Sequence, residues 1–65
     1  MNKLQAIIKR HHDSLLNDFP GETECSLRAS LLKGRILFEM TQLESVEEVR
    51  EMFEEYCRFV YNNKL

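Results

Sequence analysis

The chain has few of the residues that punctuate structure, with two glycines and one proline among 65 residues. Gly and Pro mark most turns, so few elements are expected, and long ones. Two cysteines, Cys25 and Cys57, are too few for the disulfide framework of a small secreted domain. No unbroken apolar run exceeds three residues, as in Ile36-Leu37-Phe38, which excludes a transmembrane helix. The start, Met1-Asn2-Lys3-Leu4, has no apolar stretch before Lys9-Arg10-His11-His12, so no secretory signal is expected. The expected compartment is a reducing cytoplasm with both thiols free. Neither sign of charge dominates. Nine basic residues against 11 acidic ones give a net charge of −2, no general attraction to nucleic acid or to an anionic membrane. Gly21 and Gly34 are too far apart to build a phosphate-cradling loop.

What is present is a globular composition, 43% apolar and 31% charged. One domain over residues 1–65 is expected. A chain this short buries only about 60% of its unfolded surface and has no mass to spare for a deep catalytic cleft.

Pro20-Gly21 is the strong break, and Thr41-Gln42-Leu43-Glu44 a softer one. Residues 3–18 carry Leu4, Ile7, Ile8, Leu15 and Leu16 on one helical arc, with Lys9, Asp13 and Asn17 opposite. Residues 45–62 open on Ser45-Val46-Glu47-Glu48, a capping box with Ser at the N-cap and Glu at N3. Met52, Phe53, Tyr56, Cys57, Phe59 and Val60 then share one arc, and Phe53 is expected in the core. Glu47, Glu51, Glu54, Glu55 and Arg58 share the other, a solvated face on which Glu54 pairs with Arg58 and Arg50 with Glu54. Asn62-Asn63 is the expected stop.

Residues 24–41 admit two readings. Alternation of Cys25, Leu27, Ala29 and Leu31 with Ser26, Arg28 and Ser30, and a turn at Lys33-Gly34, would pair strands near 25–31 and 36–41 in a hairpin. The helical reading is preferred, because Leu, Ala, Arg, Lys and Glu dominate and Ile36 is the only β-branched residue from Cys25 to Met40. As a helix the segment is apolar on two sides: Leu27, Leu31 and Phe38, in line with Gly34, and Leu32, Ile36 and Met40. A helix apolar on two sides is expected at the centre of a bundle. The fold class is therefore all-α, a three-helix bundle or a helical hairpin plus one helix, with the α–β-hairpin–α arrangement as the alternative.

The stretch from Leu32 to Phe38 followed by Val46 to Phe59 resembles one tetratricopeptide-type helical hairpin, over about 30 residues. That resemblance implies an αα-hairpin in which Gly34 lets the second helix pack close. The usual small residue early in the second helix is Val46 here, and no second repeat follows.

The chemistry-bearing residues do not assemble into a recognised site. His11 and His12 are adjacent, so they point about 100° apart on a helix and do not grip one metal together. His11 is expected half-buried between Ile7 and Leu15. Cys57 falls on the apolar arc, where an inert buried thiol is the common reading. No nucleophile elbow, catalytic residue, metal site or cofactor site is expected, and the chain reads as a non-enzyme.

Two functions stand. Residues 25–43 carry Arg28, Lys33 and Arg35 against Glu39, whereas residues 44–65 carry six Glu against Arg50, Arg58 and Lys64. A small DNA-binding regulator using the basic middle segment is thus the alternative. An acidic last helix opposes phosphate binding, which makes nucleic acid the less favoured partner. The preferred reading is a protein-binding regulator or inhibitor, acting through a helical apolar face on a larger protein or closing a homodimer. The residues expected on that face are Leu27, Leu31, Leu37, Phe38, Phe59 and Tyr61. Leu31 and Phe38 form its outward stripe, while Leu32 and Ile36 point inward.

Overall fold

The computed structural model describes residues 3–64, of which 87% are helical. Helix α1 spans Lys3–Asp18, a single 3-10 turn follows at Glu22–Glu24, α2 spans Cys25–Thr41 and α3 spans Val46–Asn63. No strand occurs among the described residues. The middle segment is one continuous helix, as the abundance of Leu, Ala, Arg and Lys favours. Its strand-like alternation is a by-product of two apolar stripes on one cylinder.

The boundaries follow local chemistry. Helix α1 stops ahead of Pro20, whose predecessor is disfavoured in helical geometry. Ser45 caps α3 as expected: its hydroxyl accepts hydrogen bonds from the amides of Glu47 at 3.2 Å and Glu48 at 3.5 Å. Glu47 and Glu48 place negative charge at the positive end of the helix dipole. The far end closes on Lys64 in the left-handed region, φ 54°, its amide returning to the Tyr61 carbonyl at 3.4 Å.

Each helix contributes two side chains to the core. Ile8 and Leu15 come from α1, Leu32 and Ile36 from α2, and Met52 and Phe59 from α3. The spacings of seven, four and seven residues put each pair on one helical face. Leu4, Ile7, Phe19, Met40, Leu43 and Tyr56 close around them, partly buried. Leu32 and Ile36 thus face inward, as read from the sequence.

The central helix is α1, not the two-faced α2. Helix α1 packs against both α2 and α3, whereas α2 and α3 share few contacts. The adjacent histidines show how one helix serves two neighbours. His11 reaches Glu39 of α2, Nε2 to Oε1 3.1 Å, and His12 sets its ring edge-on to Phe59 of α3 at 5.1 Å between centroids. The expectation of a close crossing at Gly34 is also not met. A Cβ built there would meet nothing within 4 Å, so the tetratricopeptide-like approach of the second helix is absent.

The arrangement is elongated, 36 × 20 × 16 Å. Its radius of gyration of 11.7 Å exceeds the roughly 10.7 Å of a compact chain this long. The sparse α2–α3 side is where the extra surface lies, and it corrects two core assignments. Phe53 was expected inside and is 53% exposed, while Phe59 was expected on the binding face and is 7% exposed. The apolar arc of α3 is wider than α1 alone can cover. The Met52–Phe59 edge is taken into the core and Phe53 is left in solvent. Cys57 is exposed for the same reason.

Candidate protein-binding face

The outer surface of α2 gathers most of the residues expected to bind protein. Leu27 is 45% exposed, Leu31 37%, and Phe38 67%. With Gly34 they recur at intervals of four, three and four residues, a straight seam on the side of α2 opposite Leu32. Leu37, 48% exposed, stands beside that seam. A shallow groove of about 340 Å³ runs along it, with Leu31, Gly34, Arg35 and Phe38 from α2 and His11 from α1 in its walls. Tyr61 is 83% exposed but lies on α3. Phe59 is inside the bundle and belongs to no surface.

The basic residues of the middle segment do not act together. Arg28 is buried, and its Nη1 donates to the carbonyl oxygens of Phe19 at 2.5 Å and Gly21 at 2.7 Å. It closes the loop after α1 onto α2, and its Nε has no hydrogen-bond partner. Its place at four-residue steps from Leu32 and Ile36 is the sequence signal that assigns it to the inward stripe. Arg35 donates to the Ser14 hydroxyl at 3.4 Å, and Lys33 is exposed. A phosphate backbone would therefore meet Lys33 and Arg35 without Arg28.

The acidic face of α3 also differs from the sequence reading. Glu55 is buried, and its carboxylate accepts from Arg58 Nη1 at 2.7 Å, so Arg58 pairs with Glu55 and not with Glu54. Glu48, Glu51, Glu54 and Glu55 line a groove of about 530 Å³ whose apolar wall is Leu4, Ile7 and Leu43.

His12 is kept below its ordinary pKa by burial, with Arg28 and Lys9 acting the same way and Asp13 opposing. Burial likewise pushes the Tyr56 hydroxyl up, with Cys57 adding to it. Among the described residues no three His, Cys, Asp or Glu side chains are placed to hold a metal ion, and Cys25 and Cys57 are free thiols. No helix of the described residues is long and apolar enough to cross a membrane. Comparison of the chain with protein families, with curated proteins and with solved structures finds no significant match.

Proposed function

We propose that the protein is a small non-enzymatic regulator or inhibitor that acts by binding a larger protein through the outer face of α2. The observation that supports this reading is an imbalance of apolar surface. Among the described residues six hydrophobic ones are buried, while eight large ones are more than a third exposed, and four of those eight, Leu27, Leu31, Leu37 and Phe38, stand on α2. Scattered exposed leucines are ordinary on protein surfaces. A contiguous apolar seam on one helix is the feature that marks interaction sites. Exposed, hydrogen-bonding-poor side chains of this kind suit the anchor role, in which a few large groups fill pockets of the partner. Free thiols at Cys25 and Cys57 suit a reducing cytoplasm.

The test is capture from a lysate by the wild-type chain and by a Leu31→Ala, Phe38→Ala double variant. Neither side chain contributes to the buried core, so the variant is expected to keep its helix content and most of its stability while losing the captured protein. Equal capture by both chains would refute the assignment of the face. A shift of random duplex DNA at low salt, abolished by Lys33→Ala with Arg35→Ala, would favour the basic-segment reading instead.

A further inference from the structure

The outer seam of α2 is complementary to itself. Positions 27, 31, 34 and 38 alternate by four and three residues, and 27 plus 38 equals 31 plus 34. Two copies of α2 laid antiparallel about a two-fold axis between residues 32 and 33 therefore bring Leu27 opposite Phe38 of the second copy. In the same register Leu31 comes opposite Gly34 of the second copy. Large meets large in the two outer layers, and a large side chain meets a vacant position in the two inner ones. The parallel arrangement instead sets Gly34 against Gly34 and leaves a void between the Leu31 layer and the Phe38 layer, whose lining loses contacts.

We infer that the first occupant of this face is a second copy of the chain, docked antiparallel through α2 with each Leu31 seated over the other copy's Gly34. The inference rests on the reading of α2 as a protein-binding face, and it names what covers that face. Three observations carry it. The space above Gly34 is open, with nothing within 4 Å of a Cβ placed there. The groove beside it already runs between Leu31 and Phe38. The four seam positions themselves carry no charge, Arg28 is turned into the bundle, and Arg35, in the groove wall, donates to Ser14 of α1. Mixed layers of this kind are the antiparallel form of heptad packing.

The seam from residue 27 to residue 38 is only about 16 Å long. That puts the interface at the small end of specific contacts, so the association is expected to be weak. Its low charge content makes the association nearly insensitive to salt.

Sedimentation equilibrium of the purified chain from micromolar to submillimolar concentration tests this. The wild type is expected to move from monomer to dimer across that range. Gly34→Leu points into open space and improves helix propensity, so the variant folds, which circular dichroism at low concentration checks. In the dimer it sets leucine against leucine, and association is expected to fall by about tenfold or more, about 1.4 kcal/mol. Leu31→Ala combined with Gly34→Leu exchanges large and small across the same layer. It is expected to restore association to within about threefold of wild type. A wild type monomeric throughout, a Gly34→Leu chain that dimerises as well or better, or a double variant no stronger than the single one would each overturn the inference. The purified sample holds no other protein, so these failures leave lysate capture by the same face standing. Loss of that capture alone would leave the dimer standing.

Discussion

Replacing Arg28 tests how the loop after α1 is held. The guanidinium donates from Nη1 to the Phe19 and Gly21 carbonyls at 2.5 and 2.7 Å. Hydrogen bonds to a charged group contribute about 1.5–3 kcal/mol each. Against them stand the burial of a cation with no carboxylate on it and the unpartnered Nε, which cost part of that gain. Phe19 and Gly21 are only partly buried, so water reaches their carbonyls once the arginine is gone. The net loss for Arg28→Ala is expected at about 2–3 kcal/mol, including the packing of the side-chain stem. For a domain of this length that is a fall in thermal midpoint of roughly 10–20 °C. Arg28→Met keeps the stem and removes both the bonds and the buried charge, so it is expected to fall between wild type and Ala. Urea denaturation at micromolar protein, followed by circular dichroism, gives the three midpoints. A Met variant as stable as wild type would show that the guanidinium's bonds do no more than balance its burial, and the reasoning would fail.

Two further outcomes follow from the core and from α1. Ile36→Ala is expected to cost about 2–5 kcal/mol, whereas Phe53→Ala, its ring already half in solvent, is expected to cost only about 1 kcal/mol; the reverse order in denaturant midpoints would contradict the burial described for α3. His12 binds its proton less readily folded than unfolded. The unfolded chain therefore takes up that proton first as pH falls below about 6.5. The stability contributed by neutral His12 is complete above that value and is lost from there down to its depressed folded pKa. Wild type and His12→Gln compared at each pH should differ in slope over that interval, and identical slopes would refute the assignment.

The elements were legible because each signal is local. The Ser45 cap, the Pro20-Gly21 break and the apolar arcs place the three helices within a residue of where they lie. Leu32 and Ile36 face inward and Leu31 and Phe38 outward as read, although the close approach at Gly34 on which that choice rested is absent, and two apolar stripes alone do not say which one meets the core. Which helix stands in the middle was not legible. Periodicity reports that a face is apolar, not how many neighbours cover it, so α2 looked central while α1 is. The same gap reversed Phe53 and Phe59. Both fall on the apolar arc of α3, and only the position of α1 decides between them. Arg28 was counted with the basic residues because charge is read ahead of register, although its spacing from Leu32 and Ile36 marks it as inward.

The sparse contact between α2 and α3 has a consequence for the order in which the molecule assembles. Neighbours in sequence form a pair cheaply, because little chain must be closed between them. Here the pair nearest in sequence at the C-terminal end has little surface to share, and α3 must reach back past α2 to find α1. The α1–α2 pair has its own tie in the Arg28 clasp and its own contacts. The last helix is stabilised through a closure that spans the whole intervening chain. Loss of α3 leaves a joined α1–α2 pair with half its cover gone, whereas loss of α1 leaves two helices with almost nothing in common.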